Sequence, residues 1–183
     1  MSGAASVWPR RLAVVVLGLV AVTPAGTAAA TGNAEHAWRL AYTPRVVHLT
    51  SNRDYVDWNH IVAAEYITPR HTRWGADRTH FGASVFDNSY GQFSQSVYAG
   101  LEWDWRALGA GQLFFSLSPG LVHGYKEPWE NRVPLNKALG VGVVVVPAIG
   151  WQAERLGFAI SLAGSAVALR GSWRWGGAER EGR

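Results

Sequence analysis

Residues 93–106 read Phe-Ser-Gln-Ser-Val-Tyr-Ala-Gly-Leu-Glu-Trp-Asp-Trp-Arg. The odd positions are Phe93, Gln95, Val97, Ala99, Leu101, Trp103 and Trp105; the even positions are Ser94, Ser96, Tyr98, Gly100, Glu102, Asp104 and Arg106. A period of two marks a strand, whose successive side chains point to opposite faces. One face is oily and the other ends in charges. The core of a small soluble sandwich does not accept such a face, because every unpaired buried charge costs several kcal/mol. A strand standing between lipid and a polar lumen does accept it, provided the charges pair. The split returns near the C-terminus, where Val167, Leu169, Trp173 and Trp175 alternate with Arg170, Ser172 and Arg174.

Working outward, segments of transmembrane-strand length can be marked at Leu40 to Leu49, Trp58 to Thr68, Thr79 to Asn88 and Phe93 to Trp105. Four more follow at Gln112 to His123, Val141 to Gln152, Leu156 to Leu162 and Ala166 to Trp175. That makes an all-β chain, an eight-stranded antiparallel transmembrane barrel of the outer membrane of a Gram-negative bacterium, with the barrel over 40–175. With both termini on the inner side, the outer loops are 50–57, 89–92, 124–140 and 163–165. Closure leaves no free sheet edge, so a monomer is expected.

The composition agrees. Hydrophobic residues make up 48% and charged residues only 16%, against about 25% in ordinary soluble domains. This argues against disorder and against a coiled coil. The net charge of +4 comes from scattered Lys and Arg, which gives no basic face for nucleic acid. The absence of cysteine excludes a disulfide scaffold and a thiol nucleophile. At the N-terminus Arg10 and Arg11 precede an apolar run from Leu12 to Val22, then Pro24 and Ala28-Ala29-Ala30, the pattern of a signal peptide over 1–30. A short segment, 31–39, would lead into the barrel, and the tail 176–183 would fray.

Aromatic residues fall near the strand ends, at Trp38, Tyr42, Trp58, Tyr66, Trp74, Trp103, Trp105, Trp129, Trp151, Trp173 and Trp175, which suits girdles at two membrane interfaces. Familiar soluble chemistry is missing. Gly140-Val141-Gly142 lacks the Lys and Ser/Thr of a phosphate loop, there is no Gly-x-Ser-x-Gly elbow, and His36, His48, His60, His71, His80 and His123 show no metal-ligand spacing, so no metal is expected. The topology does bring one group together. His48 ends the first upward strand and Phe86-Asp87-Asn88-Ser89-Tyr90 ends the third, so imidazole, carboxylate and hydroxyl reach one rim, a set able to carry acyl transfer. Ser and Asn are also ordinary turn residues, and a rim histidine is commonly just solvated.

The stretch Phe86-Asp87-Asn88-Ser89-Tyr90, followed after the next strand by Glu102-Trp103-Asp104-Trp105-Arg106-Ala107-Leu108, resembles the PagP family of outer-membrane lipid A palmitoyltransferases. In that family an Asp-Ser pair precedes an aromatic residue, and the next strand closes on Trp-Arg-Pro-Leu. Val133-Pro134-Leu135 is similar to the family's Ile-Pro-Leu-Pro stretch, and Pro147-Ala148-Ile149-Gly150-Trp151 to its Pro-Leu-Ala-Ser-Val-Gly-Tyr. The resemblance implies a barrel that moves a palmitoyl chain from an outer-leaflet phospholipid to lipid A without metal or organic cofactor. It implies a rim His, Asp and Ser above an apolar cavity that measures the chain. The family's His falls on His48 and its Asp-Ser pair on Asn88-Ser89. Asparagine carries no charge, so either Asp87 supplies the carboxylate or the Asn88 amide orients the substrate. The acyl pocket would be lined by Gly82, Ser84, Phe86, Gly120 and Val122, above a polar plug of Glu102, Asp104, Arg106, Arg170 and Arg174. The clamp helix that the family places before its first strand has no counterpart in Thr31 to Trp38, which is too short and too rich in small residues. Lys126, Arg132 and Arg53 in outer loops are candidates to meet lipid A phosphates. The rival readings are a non-enzymatic structural or adhesion barrel and a soluble lipocalin-like carrier.

Overall fold

The computed structural model describes residues 36–50, 54–56, 58–69, 72 and 74–176, so the signal peptide expected over 1–30, Arg53 and the tail beyond Gly176 lie outside the described residues. Nine antiparallel strands form one sheet: β1 (Ala37–Thr43), β2 (Val46–His48), β3 (Ile61–Pro69), β4 (Arg78–Asp87), β5 (Phe93–Leu108), β6 (Gly111–His123), β7 (Gly142–Gln152), β8 (Leu156–Ala163) and β9 (Ala166–Gly176). Eight of them close a ring, each pairing with the next in sequence and β9 returning to β1. β2 lies outside that ring. It continues beyond β1 but pairs with β9 alone, Val46 opposite Ala168 and His48 opposite Ala166. No helix among the described residues is long and apolar enough to cross a membrane.

The expected first strand, Leu40 to Leu49, differs in two ways. Pairing begins at Ala37, opposite Ile67 and Gly176, so the leading segment ends earlier than expected and Arg39 joins the barrel. The strand is also interrupted at Pro44, which has no N–H to donate and whose carbonyl is turned aside to Asn59 and His60.

The barrel is inverted relative to a soluble one. In β1 the inward Ala37, Arg39, Ala41 and Thr43 are buried, Arg39 to 1% exposure, while Trp38, Leu40 and Tyr42 stand 41%, 47% and 45% exposed on the outside. Phe81, Val97, Leu121, Val145, Ile149, Phe158, Ile160 and Leu169 continue the same apolar exterior around the wall. An outer surface of this kind is stable against lipid and costly against water.

Inside, charges pair across the lumen. Arg39 bonds Glu65 and reaches Glu102 at 3.1 Å; Arg78 meets Glu102 at 2.8 Å and also pairs with Asp104; Arg170 meets Glu65 at 2.8 Å. Tyr98 donates its hydroxyl to the Glu65 carboxylate at 2.8 Å. Three guanidinium groups thus neutralise three carboxylates, and the network ties together β1, β3, β4, β5 and β9. Glu102, Asp104 and Arg170 stand where the alternation puts them.

Arg106 does not. Asp104 faces Phe114 across the β5–β6 ladder, but Arg106 faces Leu113, so Trp105 is an extra bulged residue and the parity reverses beyond it. Arg106 is therefore exposed on the outside, and not part of the plug. Arg174 sits low, with its side chain donating to the Glu154 carbonyl at 3.2 Å and its amide to the Arg155 carbonyl at 2.7 Å. Arg39, Glu65 and Arg78 complete the plug instead.

Aromatic rings gather at the end that carries the short turns. Trp38 tilts on Tyr66 at 5.1 Å and Trp103 stacks near Phe115 at 5.6 Å. Trp103 donates to the Trp74 carbonyl at 3.1 Å and Trp151 to that of Leu108 at 3.0 Å, so rings and turns hold each other. At the opposite end Tyr42 bonds His60 at 2.7 Å and Trp58 stacks on the same imidazole. Trp129 belongs to neither girdle, because it stacks on Tyr90 over the lumen.

Replacing Arg39 by Leu leaves the Glu65–Glu102 group one positive charge short inside the wall. The expected cost is about 3–5 kcal/mol in urea unfolding followed by tryptophan fluorescence, whereas Arg106→Leu should stay within about 0.5 kcal/mol of the parent.

Candidate active site at the loop end of the barrel

The loop end is organised by two buried asparagines. Asn59 accepts a hydrogen bond from the Val46 amide at 3.0 Å and donates its side-chain amide to the Asp87 carbonyl at 3.0 Å, while the Asp87 amide donates to the Asn59 carbonyl at 2.9 Å. This latch fastens β2 to the end of β4. Asn88 shapes the turn that follows: its Oδ1 accepts from the amides of Tyr90 and Gln92 at 2.9 and 3.1 Å, and its Nδ2 donates to Ser94 Oγ at 3.1 Å. Gly91 takes the left-handed φ of 74° that closes the turn. On the other side, the Leu49 amide donates to the Ser165 carbonyl at 2.8 Å.

Between these fastenings the ends of β2 and β4 present His48 and Ser89. Nε2 of His48 lies 2.7 Å from Oγ of Ser89. The imidazole is stacked on the Tyr55 ring, with centroids 3.7 Å apart and planes at 22°. Tyr125, just beyond β6, lines the same cavity as His48 and Ser89, and its phenol is pushed up to about 12, by burial first and by the neighbouring Tyr90. It therefore remains a neutral hydroxyl, able to donate, across the physiological range.

The other expected site residues are placed differently. Asp87 lies opposite Phe93 on the face of β4 away from the inward-pointing Phe86 and Asn88, and does not line the cavity below His48. Asn88 points inward and is fully buried, but its amide is committed to the turn and makes its bonds to Tyr90, Gln92 and Ser94. Among the described residues, then, it is Tyr55 that braces the imidazole, by ring stacking.

Below His48 and Ser89 lies a cavity of about 330 Å³, within the range of small-ligand pockets. Phe86, Ile61, Val122, Val144 and Val146 give it apolar walls, and Ser84, Ser96, Ser116 and Ser118 form a hydroxyl-bearing side. Glu65, Tyr98 and Arg170, the upper edge of the ion network, make its floor. Four of the expected pocket residues, Ser84, Phe86, Gly120 and Val122, line it. Gly82 does not: a side chain there would come within 2.5 Å of the Tyr98 ring, so this glycine makes room for Tyr98.

The wall beside the cavity is unevenly sewn. β7 pairs with β6 along its whole length, from Gly142 opposite Val122 to Gln152 opposite Gln112. Its ladder to β8 runs only from Gln152 to Ala148. The next residue toward the loop end is Pro147, which cannot donate, and from there β7 and β8 part. The cavity-lining Val144 and Val146 stand at that parting.

Sequence reasoning passed over Asn59, Tyr55 and Tyr125, which lie outside or at the edge of the alternating segments. Among the described residues no group of three or more His, Asp or Glu side chains is placed to hold a metal ion.

Replacing Asn59 by Ala strands the Val46 amide and the Asp87 carbonyl. The expected result is a loss of about 1–3 kcal/mol and faster hydrogen exchange at Val46, with exchange in β5 and β6 unchanged. Compared with protein-family models and with curated proteins, the sequence matches none.

Proposed function

We propose that this protein is an outer-membrane acyltransferase that moves a palmitoyl-type acyl chain from a phospholipid to a hydroxyl of lipid A. The observation that carries the reading is the contact of His48 Nε2 with Ser89 Oγ, 2.7 Å, at the mouth of a cavity with apolar walls. A hydroxyl beside an imidazole is the minimum apparatus for acyl transfer. The cavity accounts for the acyl chain, and the parting of β7 from β8 gives a lipid tail a way in from the side.

In this reading the donor's acyl tail descends into the cavity and its ester carbonyl stops at the rim. His48 takes the proton from the attacking hydroxyl, either that of Ser89 or that of the acceptor. The oxygen adds to the ester carbonyl, and the tetrahedral oxyanion receives a hydrogen bond from the neutral Tyr125 phenol. Collapse of the intermediate expels the lysophospholipid alkoxide, to which His48 returns the proton. If Ser89 is acylated first, the acceptor hydroxyl repeats the same sequence. The resemblance of 86–90 and 102–108 to the lipid A palmitoyltransferases supports the choice of donor and acceptor. The apolar exterior supports the outer membrane of a Gram-negative bacterium as its location, with the loop end outward.

The test is mass spectrometry of lipid A from cells that express the protein. One added acyl chain is expected, reduced about 100-fold or more by His48→Ala and by Ser89→Ala, and kept within about threefold by Asp87→Asn. An added chain that survives His48→Ala would sink the mechanism. No added chain from the parent protein would favour a non-enzymatic barrel.

A further inference from the structure

The long connection 124–141, between β6 and β7, is folded down over the cavity mouth. Asn136, buried on a single-turn helix (Asn136–Leu139), donates to the carbonyls of Tyr125 at 2.7 Å and Glu130 at 3.1 Å. Val133 is buried against Gly142, where any side chain would collide with it. The Lys126 amide donates to Gln92 Oε1 at 2.9 Å, and the Val143 amide to the Pro134 carbonyl at 3.1 Å. An eighteen-residue loop built only to cover the barrel would not need so many fastenings at fixed points.

What the fastenings present is Arg132. Its guanidinium carbon lies 5.6 Å from the Trp129 ring centroid and 6.0 Å from that of Tyr90. Those two rings are themselves stacked, 4.2 Å apart and 7° from parallel. Arg132 lines the same cavity as His48 and Ser89. The other arginine on that lining, Arg170, is already paired with Glu65. Arg132 is exposed and, among the described residues, forms no ion pair with a carboxylate. Contact with aromatic rings restrains the long side chain while leaving its N–H edge able to bond, which lowers the entropy lost when an anion arrives.

We propose that Arg132, braced by Tyr90 and Trp129, is a phosphate-binding subsite for a lipid headgroup whose acyl chain occupies the cavity. The fork of a guanidinium matches two phosphate oxygens, and a phosphate is the anion that stands a few bonds from an ester held at His48 and Ser89. The assignment takes from the preceding section only that an acyl chain fills the cavity with its ester at the His48–Ser89 rim. The phosphate belongs to the donor phospholipid or to the acceptor's sugar, and two probe pairs separate these.

The experiment is binding to the full barrel in a phosphate-free maltoside detergent, read by native mass spectrometry. One pair is palmitoyl-lysophosphatidylglycerol and monopalmitoylglycerol; the other is bisphosphorylated lipid A and the same lipid after dephosphorylation. In at least one pair the phosphorylated member should bind about tenfold tighter or better, and Arg132→Gln should erase that preference while leaving the uncharged member within about twofold. The pair in which this happens names the source. Equal binding within both pairs, or a preference that persists in Arg132→Gln, would overturn the subsite. Because the readout is binding, a parent protein that shows the preference but transfers no acyl chain would overturn the proposed reaction and leave the subsite standing.

Discussion

The carboxylate of Glu65 receives Arg39 from β1, Arg170 from β9 and the Tyr98 hydroxyl from β5, while sitting on β3 with no exposure to solvent. A barrel with an oily outside cannot be held shut by a hydrophobic core, since lipid is as good a solvent for its outer face as another side chain would be. Closure must come from backbone ladders and from whatever fills the lumen. Here the filling is ionic, and its centre is beside the seam where the last strand meets the first. The same group sets the depth of the cavity, because Glu65, Tyr98 and Arg170 are its floor. One cluster thus decides both that the wall closes and how far a ligand descends.

Above that floor the fold changes character. The strands are no longer joined by an unbroken ladder: β1 gives way to β2 at Pro44, and β7 leaves β8 at Pro147. Asn59 repairs the first break with side-chain bonds, and the second is left open. His48 and Ser89 sit beside the repaired break. Their separation of 2.7 Å therefore depends on an amide some thirty residues from Ser89 in sequence, with no chemistry of its own.

Much of this was legible in the alternation. In 93–104 every second residue does face the lumen, and the remaining strands follow the expected segments closely. The meeting of His48 with Ser89 follows from counting strands up and down, since both lie at the end of an upward strand. What a period of two cannot express is a change of parity. The bulge at Trp105 turns Arg106 outward, and no residue there announces it. Arg39 was hidden for a related reason: the oily run at Leu40 looked like the start of a strand that begins at Ala37. Tyr55 and Tyr125 lie in connections, where side-chain direction has no period and only the folded loop decides what meets what. The role expected of Asp87 or Asn88 beside His48 came from the shared rim and from the resemblance, whose Asp-Ser pair falls on Asn88-Ser89; in the fold the Asn88 amide is bound into the turn and Asp87 lies off the cavity lining, neither of which a sequence pattern expresses.

The two ends of the barrel are not equally furnished with aromatic rings. Trp38, Tyr66, Trp103, Trp151, Trp173 and Trp175 lie toward the short turns, while Tyr42 and Trp58 stand on the other side. In the outer-membrane setting proposed for the protein, interfacial rings act as moorings, so the barrel's height in a bilayer would be set from the turn end. The opposite rim then rises or sinks with the thickness of the membrane around it. In a thick bilayer the His48–Ser89 pair is drawn down toward the ester level of the surrounding lipids; in a thin one it stands among headgroups and water. On the proposed reading, the local lipid composition would thereby become a setting of the site itself, without any movement in the protein.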